Sequence, residues 1–316
     1  MDALRSASRS NLGKKHIVYV VVGANGQTGS VAAQRLLDKG YSVRVIVRRS
    51  EQASDWSTRG ATAVVADLGD PATMRGAFDG ASGAYLMNPP AYGSPDIFAT
   101  AHEVHSIMIR EAERSGVAHV VALSSVGAQH ESGTGNILTT HDLESQLASS
   151  RLRATVLRAA NFVDNWLWSL PVVRETGLLP SMLHPVEKPL PMVAAVDIGK
   201  IAADLLVRGA SAPQLVELHG PRDYSPADAA SKLSTLLGQT VRAVPTPESQ
   251  WQQAFLANGF SQSAIDAFCE MYRGFNSGLV SFSGQGEVVE GSTRLKDVFE
   301  SALSGPGLAT APVERT

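Results

Sequence analysis

Three evenly spaced glycines near the start of the chain constrain the fold most strongly. The stretch "IVYVVVGANGQTGSVAAQRLLDKG" covers residues 17–40 and places Gly23, Gly26 and Gly29 directly after an apolar run. The apolar run is typical of a buried strand, and the apolar spacing after the glycines is typical of a helix. The sequence therefore predicts a tight strand-to-helix turn in which three residues carry no side chain, so that other atoms can come close to the backbone.

Short apolar segments and helical segments alternate through the first half of the chain. Segments 30–39 and 98–115 have helical spacing and lie between strand-like segments. This alternation predicts parallel strands joined by helical crossovers, which is an α/β doubly wound parallel sheet of the Rossmann type. The predicted strands are 17–22, 42–47, 62–66, 84–87, 118–123 and 154–157.

The pattern changes after residue 160, where aromatic and proline-rich segments begin. We expect a flexible arm at 1–15, an NAD(P)-binding domain at 16–160, a smaller, mostly C-terminal α/β substrate-binding domain at 161–303, and a flexible tail at 304–316. Elements of the second domain can return to the main sheet. Its predicted elements are helices at 197–207, 247–258 and 261–275, a helix that starts near Ser225, and strands at 215–218 and 241–244.

Composition excludes several classes of protein. The 316 residues carry a net charge of -3, so no positive field is available to hold nucleic acid or an anionic membrane. The single cysteine, Cys269, excludes an intrachain disulfide and zinc sites built on several thiolates. No apolar run approaches the roughly 20 residues that cross a bilayer, and the first residues lack the apolar stretch of a signal peptide. We expect a cytoplasmic protein without a metal site.

The context of the glycines predicts that the turn binds a dinucleotide. Gly26 would let a pyrophosphate approach the backbone, and Gly29 would let the helix pack against its strand. The helix would begin near Gln27 and offer free N–H groups and the positive end of its dipole to phosphate. A structural turn without a ligand is the alternative interpretation.

Two arginines at the end of the second strand favour the phosphorylated cofactor. An NAD site usually has an acidic residue there, whereas "VRVIVRRS" presents Arg48 and Arg49, and the first carboxylate is Glu51. A guanidinium group binds phosphate oxygens in pairs, which suits the 2′-phosphate of NADP(H). Two solvated surface arginines are the alternative, and the sequence does not decide which of the two would make the contact.

Seven segments together resemble the NmrA-like branch of the atypical short-chain dehydrogenases. They include the glycine turn, "VVADLGDPATM", "GAYLMNPP", "VALSSVGA", "LRATVLRAANFVDNW", "VDIGKIAADLL" and "LHGPRDYSPADAASKLSTLLGQTV". The resemblance runs from about residue 16 to 299. It implies NADP(H) as cofactor and a small-molecule substrate for the enzymatic members, with monomers or homodimers common among relatives.

The resemblance also implies a set of cofactor contacts. Asp67 is supported independently because it follows a buried strand, although an acid at the start of a helix from Pro71 is an equal alternative. The implied contacts are Gly23, Asn25, Gly26, Gln27, Thr28 and Gly29 at the pyrophosphate, Arg48 or Arg49 at the 2′-phosphate, Asp67 and Leu68 at the adenine, Asn88 and Pro89 at the nicotinamide-side ribose, and Ser124 and Ser125 under the nicotinamide.

The catalytic pair of typical short-chain dehydrogenases is missing. These enzymes use a tyrosine and a lysine four residues apart, yet the sequence between Ser125 and Arg158 contains neither residue type. His141 falls where relatives often carry lysine, and histidine has an ordinary pKa of about 6.5. His141 is therefore the candidate proton donor, with a plain hydrogen-bonding role to the cofactor or the helix as the alternative.

Two functions remain open at this stage. In the first, NADPH passes hydride to a quinone-like or aromatic acceptor, which needs little help from a strong acid. In the second, the protein binds NADP(H) without reaction and the cofactor ratio regulates a partner, since the family contains both kinds. An isomerase or dehydratase-like relative is a further possibility.

Aromatic residues near the predicted carboxyl edge of the sheet could form an apolar substrate pocket, although such residues are more often part of a core. The predicted pocket residues are Tyr85, Tyr92, Asn161, Phe162 and Trp166.

Two further histidines, His102 and His105, are best explained as solvated helix positions.

Overall fold

The structure is a computed structural model and describes residues 17–304. The predicted arm and nearly all of the predicted tail lie outside the described residues. The strands are β1 Val18–Val21, β2 Ser42–Val47, β3 Thr62–Val65, β4 Gly83–Met87, β5 His119–Ser125, β6 Ala154–Ala159, β7 Asn161–Phe162, β8 Leu178–Ser181, β9 Met192–Val193, β10 Leu215–His219, β11 Arg242–Pro245 and β12 Glu287–Glu290. The helices are α1 Gln27–Asp38, α2 Ser50–Thr58, α3 Pro71–Met74, α4 Ile97–Arg114, α5 Leu138–Ala148, α6 Leu170–Thr176, α7 Ala195–Arg208, α8 Pro226–Leu237, α9 Glu248–Ala257, α10 Gln262–Ser277 and α11 Leu295–Ser304.

Eight parallel strands form the main sheet in the order β12-β10-β6-β5-β4-β1-β2-β3. The strand order reverses between β1 and β4, which pair directly, with Val21 opposite Tyr85. The crossovers diverge at this point and leave a crevice at the carboxyl ends of the two strands. The sheet therefore places the glycine turn, which follows β1, beside the segment that follows β4.

Alternate side chains along the strands enter two separate cores. One face packs against α1, α2 and α7, and its strand residues include Val21, Val45 and Leu157. The other face packs against α3, α4 and α5 through residues such as Val20 and Ala122. Because both faces are covered in the middle of the sheet, strands such as β1 and β4 are almost entirely apolar, which explains why their sequences show continuous runs rather than strict alternation.

The predicted doubly wound parallel sheet is confirmed, and the predicted strands and helices of the first half are present. Ser225 caps α8 as expected: its hydroxyl accepts from the Asp228 N–H at 3.1 Å, and the Asp228 carboxylate accepts from the Ser225 N–H at 2.9 Å. The elements that were not predicted are α2, β7, α6, β8, β9, β12 and α11; the four in the middle fall in the aromatic and proline-rich segments. Helix α2 buries only Trp56 and so lacks apolar periodicity, and the last two elements, β12 and α11, follow a glycine-rich segment.

Strands β10 and β12 come after residue 160 in the chain, yet they extend the main sheet beyond β6. Two small sheets, β7–β9 and β8–β11, lie with α6, α8 and α11 around a third core that includes Trp166, Leu179 and Phe299. The boundary at residue 160 stays a prediction. Within residues 17–304, no helix combines the length and the apolar character needed to cross a membrane.

Helices α1 and α7 pack against each other at unusually close range. A Cβ atom on Gly199 of α7 would overlap the Thr28 carbonyl oxygen and lie 2.6 Å from the Val31 Cβ. At the far end of the same contact, Arg35 donates to both carboxylate oxygens of Asp204 at 2.9 and 2.7 Å. Backbone atoms therefore meet without intervening side chains at the start of α1, which fixes where that helix begins.

Replacing Gly199 with alanine should lower the free energy of unfolding by about 1–3 kcal/mol, because the added methyl group overlaps a backbone oxygen that cannot turn aside. Urea denaturation measures the change. The matched control is Gly93→Ala, since nothing lies within 4 Å of a Cβ at Gly93. We expect that control to stay within about 0.5 kcal/mol of the original protein. Equal stability of the two variants would contradict the close contact.

Candidate functional site

The glycine turn brings the backbone of β1 and α1 into direct contact. Gly23 has a φ of +67°, a conformation that favours glycine, and its carbonyl oxygen accepts a hydrogen bond from the Gly26 N–H at 2.9 Å. A Cβ on Gly29 would overlap that same carbonyl group, and one on Gly23 would lie 2.9 Å from the Met87 Sδ. The backbone contact requires a residue without a side chain at Gly29, and the positive φ favours glycine at Gly23, as the sequence predicts for both.

The amino end of α1 offers uncapped amides at the carboxyl edge of the sheet. The helix begins at Gln27, and the preceding Gly26 supplies no side chain to cap it. The first turn of α1 contains no acidic residue, and Asn25, Gly26 and Gln27 are exposed. Trp56 donates from Nε1 to Asn25 Oδ1 at 2.9 Å and so fixes the side chain of Asn25. This donor set fits a pyrophosphate, because free helix amides and the helix dipole both favour an anion.

The side chains of Thr28 and Tyr85 lie beneath the turn rather than in it. The two hydroxyl groups are 2.9 Å apart, and both residues are buried, with Tyr85 0% exposed. Burial raises the pKa of Tyr85. Only the backbone of Thr28 can therefore face a ligand, and the expectation that Tyr85 lines a substrate pocket is wrong because its ring is part of the core.

The ends of β2 and β3 carry the residues predicted for the adenosine half. Arg48 and Arg49 are exposed, and the backbone N–H of each lies 3.2 Å from Gln52 Oε1. Asp67 is also exposed, and its carboxylate accepts from the Gly69 N–H at 2.9 Å. The cap of α3 is Asp70 rather than Asp67, which leaves Asp67 without the helix-start role considered as its alternative. Leu68 follows Asp67 and is almost fully buried.

Asn88 and Pro89 follow β4 at the crevice and are half-buried. The amide of Asn88 is held on both sides, since Nδ2 donates to Thr139 Oγ1 at 2.9 Å and Oδ1 lies 3.1 Å from His105 Nε2. The His105 side chain is 0% exposed, so the expectation of a solvated helix position is wrong for this residue. His105 pairs with Asp142 on α5, so the contact joins two helices. No pattern in the sequence could have identified this pair.

Ser124 and Ser125 differ in what they contact. Ser124 is buried, and its hydroxyl donates to the Glu144 carboxylate, which also accepts from Arg158 at 2.9 and 2.6 Å. Ser125 is half-buried, and its hydroxyl donates to the Val126 carbonyl oxygen at 3.0 Å. The sequence prediction missed the Glu144–Arg158 pair. Ser124 therefore belongs to a buried polar network, and Ser125 stays the candidate for the position under the nicotinamide.

His141 lies on α5 and is half-buried. Its Nδ1 is 2.8 Å from the Ala128 carbonyl oxygen, which can only accept, so Nδ1 carries a proton. The other nitrogen, Nε2, lies 3.4 Å from Ser145 Oγ, whose hydroxyl donates instead to the His141 carbonyl oxygen at 2.9 Å. In the neutral ring Nε2 is therefore the nitrogen that can gain and release a proton.

The four remaining pocket residues do not form one wall. Tyr92 stacks on Phe260 with ring centroids 4.6 Å apart, within an aromatic cluster formed mainly by α9 and α10. Trp166 is 6% exposed and lies in the third core, so it is a core residue and not a pocket wall. Phe162 and Asn161 are half-buried beside β9, and Asn161 Oδ1 accepts from Asn165 Nδ2 at 3.1 Å.

A surface cleft of about 870 Å³ opens between α4, α9 and α10. Phe98, Gln252, Cys269 and Arg273 are among its lining residues, and none of the predicted site residues lines it. The cleft is therefore separate from the crevice at the glycine turn, and its size does not mark the candidate site.

Known proteins resemble this chain over most of its length. It is 26% identical over 255 residues to the NAD(P)H azoreductase of Xenophilus azovorans, covering 81% of this chain and 86% of that protein. The crystal structure of the NADPH-dependent quinone oxidoreductase QOR2 of Escherichia coli, complexed with NADPH, has a TM-score of 0.75 at 22% identity, covering 90% of this chain and 99% of that one. The triphenylmethane reductase of Citrobacter sp. has the same TM-score at 21% identity, covering 92% and 100%.

A family model gives the clearest assignment. The model of the NmrA-like family matches residues 14–291, from the segment before β1 to the end of β12. The match includes the glycine turn, the crevice between β1 and β4, and helix α5 with His141. This chain belongs to the NmrA-like family.

Proposed function

We propose that this protein binds NADP(H) at the glycine turn and reduces a small quinone-like or aromatic acceptor with NADPH. The observation that carries the proposal is the uncapped amino end of α1, held against Gly23 at the switch point of a doubly wound sheet. Relatives named as azoreductase, quinone oxidoreductase and triphenylmethane reductase add support, because all three names describe reduction of conjugated, electron-poor molecules.

The chain supplies groups for both ends of the cofactor. The amides of Gln27 and Thr28 would bind the pyrophosphate, and Gly26, whose N–H already donates to the Gly23 carbonyl oxygen, would let it approach the backbone. Arg48 or Arg49 would bind the 2′-phosphate through paired N–H donors. Asp67 and Leu68 would border the adenine. The remaining contacts, at the nicotinamide half of the cofactor, would be Asn88, Pro89 and Ser125.

The absence of a tyrosine–lysine pair from residues 126–157 favours an acceptor that needs little acid catalysis. When bound, NADPH supplies a hydride. A quinone that takes the hydride becomes a stabilised phenolate, and one proton converts it to the hydroquinone. His141 would release that proton from Nε2 while Nδ1 stays bound to the Ala128 carbonyl oxygen. The hydrogen bond to Ala128 would keep the ring orientation fixed through the transfer.

Purified protein should consume NADPH when it is mixed with a panel of quinones, an azo dye and a triphenylmethane dye. The loss of NADPH absorbance measures the rate, and calorimetry measures NADPH binding in the same samples. Tight binding without consumption for every acceptor would contradict the reductase and identify a non-catalytic NADP(H) sensor of the NmrA type. Absence of binding to NADPH and to NADH would overturn both functions.

Replacing Arg48 with alanine should weaken NADP⁺ binding by about tenfold or more, because a charge-assisted hydrogen bond contributes about 1.5–3 kcal/mol. NAD⁺ lacks the 2′-phosphate, so its affinity should stay within about twofold. Arg49→Ala, measured beside it, shows which of the two arginines makes the contact. Arg174→Ala is the charge-matched control, since Arg174 is exposed on α6 in the second half of the chain and is not among the proposed contacts. Equal losses for NADP⁺ and NAD⁺ in both site variants would remove the phosphate contact.

Replacing His141 with alanine should lower kcat for quinone reduction by about tenfold. This is less than the roughly 10²–10⁴-fold that a general acid typically contributes, since a phenolate needs little help. The KM for NADPH should change less than kcat. Ser145→Ala is the matched control because it alters the surroundings of Nε2 and keeps the imidazole. An unchanged kcat in His141→Ala would exclude this residue from proton transfer.

A further inference from the structure

A chain of polar contacts links the protein surface to Asn88 at the crevice. His102, whose side chain is 63% exposed, lies with Nδ1 2.8 Å from Asp142 Oδ1. The other oxygen of Asp142 lies 2.7 Å from Nδ1 of the fully buried His105. Nε2 of His105 is in turn 3.1 Å from Asn88 Oδ1. The contacts cross from α4 to α5 and back, and they end beside the carboxyl end of β4.

The hydrogen bonds around Asn88 define which atoms of His105 carry protons. The Thr139 hydroxyl donates to the Asn136 carbonyl oxygen at 2.8 Å, so it can only accept from Asn88 Nδ2. Asn88 Oδ1 then faces His105 and needs a donor at Nε2. Asp142 is a carboxylate and needs a donor at Nδ1. The arrangement therefore requires both ring nitrogens of His105 to be protonated, as in an imidazolium ion.

The surroundings of His105 oppose that charge in part. Burial lowers the pKa of His105 below its ordinary value, and the neighbouring His102 lowers it further; the hydrogen bond and the charge of Asp142 offset this only in part. Burial alone would raise the pKa of Asp142, but hydrogen bonds from His102, His105 and Gln146 lower it overall, so this carboxylate stays ionised in weak acid. The protonated pair therefore forms at the acid end of the pH range and loses the His105 proton at a lower pH than an ordinary histidine would.

Loss of that proton changes the hydrogen bond to Asn88. The remaining proton stays on Nδ1, because the bond to a carboxylate is the stronger of the two. Nε2 then presents a lone pair to Asn88 Oδ1, and the Asn88 amide must turn over to offer Nδ2 instead. Thr139 must also turn its hydroxyl from Asn136 towards Asn88. The charge on His105 therefore selects one of two orientations of the amide.

We propose that Asp142 and His105 are a positioning pair that holds the Asn88 amide in the orientation that favours the nicotinamide half of the bound dinucleotide. This inference rests on the proposed function, in which Asn88 borders the nicotinamide-side ribose. Neither Asp142 nor His105 touches the cofactor in this arrangement. Their effect passes through Asn88 and is confined to the part of the ligand beyond the pyrophosphate.

The test compares two ligands that share the adenosine half. At the most acidic pH at which the protein stays folded, chosen because burial lowers the pKa of His105 below that of an ordinary histidine, calorimetry measures the Kd of NADP⁺ and of 2′,5′-ADP, which lacks the nicotinamide half. His105→Leu should raise the Kd of NADP⁺ by about tenfold and leave that of 2′,5′-ADP within about twofold. His102→Gln is the matched control, since His102 contacts the same carboxylate and not Asn88, and it should leave both values unchanged. Equal losses for the two ligands, or no loss for either, would overturn the positioning role.

The pH dependence of NADP⁺ binding distinguishes a positioning role from simple packing. It also provides the test if His105→Leu does not fold. Asp142→Asn keeps an acceptor for Nδ1 and removes the charge that supports the imidazolium, so His105 should be neutral in this variant. Binding of NADP⁺ to the original protein should weaken as the pH rises and His105 loses its proton. The Kd ratio between Asp142→Asn and the original protein should then be largest at the acid end of the pH range and fall towards one near about pH 8. Most of the fall should lie below the ordinary histidine pKa of about 6.5, because burial lowers the pKa of His105.

A ratio that does not vary with pH would overturn the inference. Failure of the proposed function has a different signature, because the original protein would then bind neither NADP⁺ nor 2′,5′-ADP. Normal binding by the original protein with unaltered variants would refute only the positioning pair.

Discussion

The structure depends on the direct backbone contact at the start of α1. On one side Gly29 meets the Gly23 carbonyl group, and on the other Gly199 of α7 meets the Thr28 carbonyl oxygen. No side chain fits at either contact, so the first turn of the helix is held between a strand end and a second helix. This confinement keeps the free amides of the turn at the crevice, where the reversal of strand order leaves room for a ligand.

The sequence predicted the parts of this molecule that depend on local patterns. Short apolar runs between helical segments predicted the parallel sheet, and the spacing of Gly23, Gly26 and Gly29 predicted the turn with the helix start at Gln27. Both predictions succeed because backbone sterics and burial act within a few residues. Helix α2 and strand β12 escaped prediction for the same reason, since their faces are mostly exposed and leave little periodicity.

The contacts that organise the site are distant in sequence and could not be predicted in the same way. Tyr85 follows the pattern of a pocket residue but turns inward, because the Thr28 hydroxyl 57 positions away satisfies its phenol. His105 looks like one of two equivalent surface histidines, yet only its neighbour His102 is exposed. The two histidines are three residues apart and so lie only about 60° apart around the helix. The partner of His105, Asp142, lies on another helix.

The polar network around Glu144 ties the last part of the chain to the middle of the sheet. Ser124, Arg158 and Glu217 stand side by side on β5, β6 and β10, and the Glu217 carboxylate accepts from Ser283 Oγ at 2.6 Å and from the Gly284 N–H at 3.0 Å. A buried carboxylate whose hydrogen-bond donors come from one particular loop cannot be replaced without changing that loop as well. Grafting this loop between family members would therefore succeed only when the glutamate is transferred with it.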